Sequence, residues 1–203
     1  MTIRNEIALI TYPDSMGRNL KELKEILITH CQGVVGSIHL LPFFPSSADR
    51  GFAPLTYEEV DGKFGTWNEI ESLRHDFYLI FDFMINHISR QSSFFQDFKR
   101  KKDKSEFADL FIRYRDCWPQ GEPSKEEVAL IYKRKPKAPF INVTFHDGTK
   151  EKIWCTFTDE QVDLNVNTEV GKGFIRDSLL FLVKKGASVI RLDAFAYAIK
   201  KAG

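Results

Sequence analysis

The chain has 203 residues, 43% of them hydrophobic and 28% charged, a balance that suits a globular fold with a sizeable core and excludes a disordered or fibrous chain. Its 29 lysines and arginines stand against 28 acidic residues, and a formal charge of +1 gives no electrostatic reason to expect nucleic acid or an anionic membrane as a partner. The longer apolar stretches, such as Leu79 to Ile85, which is broken by Asp82, fall well short of the roughly 18–20 residues of a membrane span.

The opening MTIRNEIALITYPD has no long apolar core ending in a small-residue cleavage site, so no secretory signal is expected. Ile7 to Thr11 reads as a short buried strand, and apolar residues at Leu20, Leu23, Ile26 and Leu27 give the helical period of a first strand–helix unit. Ser37 to Leu41 is a second apolar run, stopped by Pro42 and followed by a loop rich in Pro, Ser and Gly as far as Gly65. Thr66 and Glu69 have the spacing of a capping box that opens a helix. Tyr78 to Ile85 reads as a third strand, Glu169 to Lys185 as a helix, and Ser188 to Leu192 as a fourth strand. Strands separated by helices imply parallel pairing with right-handed crossovers, hence an α/β fold.

Far more of the chain separates the third strand from the fourth than separates the others, so an insertion is expected there. Its middle, Ile131 to Pro139, reads as a basic loop, followed by a strand at Phe140 to Phe145 and a turn at His146 to Gly148. The expected division is therefore residues 1–88 with the first three strands, an inserted small domain at 89–165, and a return to the main fold at 166–203. Cys31, Cys117 and Cys155 are odd in number and widely spaced, which points to reduced thiols in the cytoplasm rather than a disulfide framework or a zinc site.

In a parallel α/β protein ligands meet the carboxyl ends of the strands, so residues at those ends are the candidates. They are Asp49 within the segment Pro42 to Phe52, Asn86 and His87 after the third strand, and Arg191 and Asp193 at the fourth. The set is polar and uncharged in sum, which suits a small neutral polyol better than a phosphorylated cofactor. Two apart on a strand, Arg191 and Asp193 leave the same face, so the guanidinium can hold the carboxylate ionised and oriented. A glycosidic nucleophile must be such a carboxylate. The same spacing also reads as an ordinary structural ion pair, the commoner case for an isolated R-x-D.

His87 reads either as a structural histidine or as a substrate contact. Strand alternation puts Asp82 on one face with Asn86, which gives Asp82 a supporting role and favours the contact reading for His87. Asp49 reads as a solvated turn acid or a ligand, and Phe43, Phe44 and Phe52 as core, with loop aromatics beside polar groups the ones able to stack on a sugar. The basic run Lys133 to Lys137 reads as a solvated loop or an anion contact, and Asn142-Val-Thr144 as a chance match to a glycosylation acceptor. No dinucleotide fingerprint, phosphate-cradling loop, H-E-x-x-H, paired C-x-x-C or G-x-S-x-G elbow occurs, so no cofactor and no metal is expected.

Together the segments Ala8 to Tyr12, Leu40-Leu-Pro-Phe-Phe-Pro45, Arg50-Gly-Phe52, Val60-Asp61 with Phe64-Gly-Thr-Trp67, Phe81-Asp-Phe-Met-Ile-Asn-His-Ile-Ser-Arg-Gln91, Ile131 to Lys135 and Ile190-Arg-Leu-Asp-Ala-Phe-Ala-Tyr197 carry a resemblance. The chain is similar from end to end to the sucrose phosphorylase family, within the α-amylase-type glycoside hydrolase and transglycosidase superfamily. That resemblance implies a TIM-type (β/α)8 barrel and retaining transfer of glucose from sucrose to phosphate, giving α-glucose 1-phosphate and fructose. Carried over by position, Asp193 is the nucleophile and Arg191 orients it. Asp49 and His87 bind hydroxyls of the glucosyl ring, Phe52 is an apolar wall, Gln161 lies near the acceptor side, and Tyr132 belongs to the acceptor site. Lys135 stands where some relatives carry an arginine, which weakens the case for phosphate contact by this loop.

In that family the acid/base glutamate follows the fifth strand and a His-Asp pair follows the seventh. A complete barrel takes about 250 residues before insertions, so the expectation is a barrel truncated after its fourth strand, with the nucleophile present and its proton donor missing. Activity of the chain alone is expected to be nil or nearly so, since leaving-group protonation contributes roughly 10²–10⁴-fold. The expected partners are sucrose, inorganic phosphate, α-glucose 1-phosphate, fructose and a carboxyl-terminal half. Alternatives of the same class act on sucrose 6-phosphate, glucosylglycerol or glucosylglycerate; one of another class is a catalytically dead sugar-binding or assembly module.

Overall fold

A computed structural model describes residues 5–131, 133 and 137–200. Packing divides the chain into two compact units, one running to Phe83 and resuming at Asp177–Asp193, the other comprising Met84–Arg176 and the segment from Ala194. Division by packing thus falls at different residues from division by chain order. Among the described residues no helix is long and apolar enough to cross a membrane.

The first unit is built on a four-stranded sheet of β1 (Ile7–Thr11), β2 (Val35–Leu40), β3 (Tyr78–Met84) and, last in the chain, β8 (Val189–Asp193), in the order β1-β2-β3-β8. Both β1 with β2 and β2 with β3 pair in parallel, and the register places Ile10 opposite His39 and His39 opposite Ile80. Helix α1 (Leu20–Cys31) starts where the Asn19 side chain accepts from the Glu22 amide, and α2 (Trp67–Arg74) where Thr66 and Glu69 form the expected capping box.

The two faces of this sheet differ. One carries Ile38, Leu40, Leu79 and Phe81, fully buried along with Leu20, Leu23 and Leu27 of α1 and Ile70 and Leu73 of α2. Each such side chain contributes roughly 1.5–3 kcal/mol on burial. Rings join this layer: Phe43 meets Phe81 edge-on at 5.0 Å, and Trp67 meets Phe43 at 5.7 Å and Phe181 at 5.6 Å. The other face, by alternation, carries Ile10, His39, Ile80, Asp82, Val189, Arg191 and Asp193. There Ile10 stays 62% exposed and Val189 39% exposed, so the polar row runs between open apolar edges.

The second unit pairs β4 (His87–Ser89) antiparallel with β7 (Gln161–Asp163) and holds a hairpin of β5 (Phe140–Thr144) and β6 (Lys150–Trp154). The expected turn closes the hairpin: Gly148 sits at φ 82°, and the Thr149 amide donates to Asp147 Oδ1 at 2.9 Å. Helix α3 (Ser93–Lys101) buries Phe95 and Phe98 against Phe111, Phe145, Ile153 and Val162. A short α4 (Lys125–Leu130) precedes the hairpin, and α5 (Glu169–Lys184) leads back towards β8.

One expectation needs correction. β3 ends at Met84, so alternation does not reach Asn86, and Asp82 and Asn86 belong to different units. Asp82 finds its partners on β2 and β8 instead.

Candidate active site

Three adjacent strands of the first unit bring four side chains into a row. Asp82, fully buried on β3, has one oxygen at each of two partners: His39 Nε2 lies 2.9 Å from Oδ2, and Arg191 Nη1 donates to Oδ1 at 2.5 Å. Arg191 Nη2 then lies 3.1 Å from Asp193 Oδ1. The Arg191–Asp193 pair anticipated from spacing is therefore formed, and it is anchored through Asp82. Asp193 lies within β8 rather than beyond it, and its side chain is 20% exposed against 48% for Arg191. The hydrogen bond that the guanidinium donates to Asp82 is the largest influence holding Arg191 above its ordinary pKa, opposed by burial and assisted by the charges of Asp82 and Asp193.

The loop after β2 places Asp49 and Phe52 in one tight turn. Asp49, Arg50 and Gly51 occupy the left-handed region at φ 55°, 46° and 106°, and a Cβ on Gly51 would stand 2.7 Å from Pro42 Cβ and from its carbonyl oxygen. The turn is pinned at its base, where the Ser46 hydroxyl donates to the Ala53 carbonyl at 2.8 Å and the Leu55 amide donates to the Pro45 carbonyl at 2.8 Å. Arg50, 2.8 Å from Asp14 and 4.2 Å over the Tyr12 ring, holds its outer side. Asp49 is exposed and Phe52 half-buried, whereas Phe43 and Phe44 are core, as expected of them.

In the second unit His87 and Gln161 come together across the β4–β7 ladder. Both are 1% exposed, and Gln161 Nε2 lies 3.2 Å from His87 Nε2. The Thr158 amide and hydroxyl donate to Gln161 Oε1 at 3.1 and 2.8 Å, which fixes the amide so that its nitrogen faces the imidazole. Asn86 Nδ2 lies 3.3 Å from His87 Nδ1, and Phe157 packs edge-on against the ring at 5.2 Å. Tyr132 and Lys135 lie outside the described residues.

Two groups escaped sequence reasoning. His39 was legible in principle, as a histidine on the same strand face as Ser37 in a run otherwise apolar. Lys200, whose ammonium lies 2.6 Å from the buried Asp163 and 2.5 Å from Asn86 Oδ1, gives no signal in the sequence, where it stands beside another lysine.

The family model described as the α-amylase catalytic domain matches residues 30–203. The sucrose phosphorylase of Streptococcus mutans serotype c is 51% identical over 201 residues, covering 99% of this chain and 42% of the relative. The glucosylglycerol phosphorylase of Marinobacter adhaerens is 45% identical over 203 residues, covering 100% of this chain and 42% of the relative. Among solved structures, sucrose 6F-phosphate phosphorylase from Thermoanaerobacter thermosaccharolyticum superposes with a TM-score of 0.96 at 42% identity, covering 100% of this chain and 42% of that one. The chain thus spans under half the length of these relatives.

Proposed function

The chain belongs to the α-amylase catalytic-domain family, and on that premise we propose that it is the nucleophile-bearing part of a sucrose phosphorylase, transferring glucose from sucrose to phosphate with retention. The observation that carries this reading is the Arg191–Asp193 pair at the end of β8, with Arg191 anchored on buried Asp82. Arg191 occupies Asp193 Oδ1, so Oδ2 is the oxygen assigned to attack. In the first step Oδ2 forms a bond to the anomeric carbon while the bond from that carbon to the fructosyl oxygen breaks, its electron pair staying on that oxygen, which takes a proton from a second carboxyl. In the second step an oxygen of hydrogen phosphate bonds to the anomeric carbon, its proton passes to that second carboxylate, and the ester bond breaks, returning the carboxylate of Asp193 and releasing α-glucose 1-phosphate.

Retention by this route requires a second carboxyl about 5–5.5 Å from the nucleophile. In this reading β1, β2, β3 and β8 are the first four strands of a (β/α)8 barrel whose remainder carries the acid. The 42% coverage of the relatives and the exposed Ile10 and Val189 on the sheet's polar face support that larger barrel. Asp49 and His87 are assigned to hydroxyls of the glucosyl ring, Phe52 to its apolar wall and Gln161 to the acceptor side. The three free cysteines fit a reducing compartment, the cytoplasm.

The test mixes the full 203-residue chain with the carboxyl-terminal portion of the Streptococcus mutans enzyme that it does not match. Sucrose, sucrose 6-phosphate and glucosylglycerol are each offered with phosphate, and glucose 1-phosphate is measured. Formation from sucrose, lost in Asp193→Asn, is the expected result. Preference for either other donor reassigns the substrate, and turnover that survives Asp193→Asn overturns the mechanism.

A further inference from the structure

Resting on the reading of Asp193 as nucleophile, we infer that His39 is a positioning residue for it, acting through Asp82 and Arg191. A fully buried carboxylate must be compensated. Arg191 does this at Oδ1 of Asp82, and by itself it would leave the carboxylate free to turn about its last torsion, which has broad minima. His39, 7% exposed, closes the other oxygen at 2.9 Å.

With both oxygens held, the plane of Asp82 is fixed, and so is the direction in which Oδ1 receives Nη1. A guanidinium is a rigid planar fork, so fixing Nη1 fixes where Nη2 points. That second nitrogen is the one 3.1 Å from Asp193. Orientation therefore passes from β2 to β3 to β8 through two contacts between neighbouring strands, His39 to Asp82 and Asp82 to Arg191, and a third, Arg191 to Asp193, within β8. The carboxylate contact also sets the chemistry of the imidazole: a nitrogen facing Oδ2 carries a hydrogen, so neutral His39 is the Nε2–H tautomer.

Two variants separate positioning from bulk. His39→Gln keeps an amide nitrogen at nearly the reach of Nε2, whereas His39→Leu fills the space and donates nothing. In the complemented chain, the rate of glucosyl-ester formation on Asp193 falls about 10–100-fold in the leucine variant, the range set by small misplacements of reacting groups. The glutamine variant recovers most of that rate, and KM for sucrose changes less than kcat in both. In the 203-residue chain itself, the imidazole nitrogen spectrum reports an Nε2–H in slow exchange, which Asp82→Asn shifts.

Equal ester-formation rates in the parent and both variants overturn the positioning role while leaving the nucleophile assignment in place. An Nδ1–H tautomer overturns the linkage directly. A parent that forms no ester on Asp193 overturns the reaction reading and the positioning role with it.

Discussion

The Lys200 ammonium stands 2.6 Å from Asp163 Oδ2 with both side chains buried, at 8% and 0% exposure. Asp163 also accepts from the Thr156 amide at 3.1 Å and from its hydroxyl, and Lys200 donates to Asn86 Oδ1. The pair therefore ties β7 and the residue preceding β4 to the segment after Ala194 within one unit. Removing one member of such a pair strands a buried charge. Lys200→Met is expected to destabilise the second unit by about 3–5 kcal/mol, read by urea unfolding. Adding Asp163→Asn recovers part of the loss, and a single variant as stable as the parent refutes the account.

Arg191→Lys keeps the positive charge and loses the fork that reaches Asp82 and Asp193 together. In the complemented chain it is expected to lower glucose 1-phosphate formation about 100-fold. Unchanged formation would show that charge alone suffices at this position.

Gly51→Ala puts a methyl into a backbone at φ 106° and against Pro42. Its expected cost is about 1–3 kcal/mol, measured by thermal or urea unfolding. Gly148→Ala, with a positive φ but nothing within 4 Å of the added carbon, is the milder comparison.

Asp97 is held down to about 2 from 3.8, chiefly by Lys101 and the Ser105 hydroxyl, then by Arg100. Lys101 Nζ lies 2.8 Å from it and Ser105 Oγ also 2.8 Å. Because the folded pKa is below the unfolded one, this contribution is fully present above about 3.8 and is lost as pH falls to about 2. Urea unfolding at a series of acid pH values should show a shallower decline for Asp97→Asn than for the parent over that window. Parallel declines would exclude Asp97 as a source of the acid sensitivity.

What the sequence disclosed follows from how local each signal is. The strands β2, β3 and β8 are compact apolar runs, and the capping box at Thr66 spans only four residues, so each was legible within a few positions. β4 and β7 have three residues each, too few to display alternation, and their existence depends on pairing between segments far apart in the chain. The R-x-D spacing foretold the Arg191–Asp193 contact, since two residues on a strand share a face whatever the rest of the fold does. That Asp82 serves Arg191 rather than Asn86 depends on where β3 stops, and no residue type marks that end. Lys200 with Asp163 was beyond reach for a related reason: a buried ion pair is specified by the packing around it.

The row from His39 to Asp193 also bears on what happens between the two proposed half-reactions. Once Asp193 is esterified it carries no charge, and of the two acidic partners of Arg191 among the described residues the one that keeps its charge is Asp82, fully buried and 2.5 Å away. Incoming phosphate, doubly charged and rich in acceptors, is the natural competitor for a half-exposed guanidinium. Moored to an internal anion, the arginine stays with the sheet and is not drawn off by the acceptor, so it is already in place when the carboxylate is released.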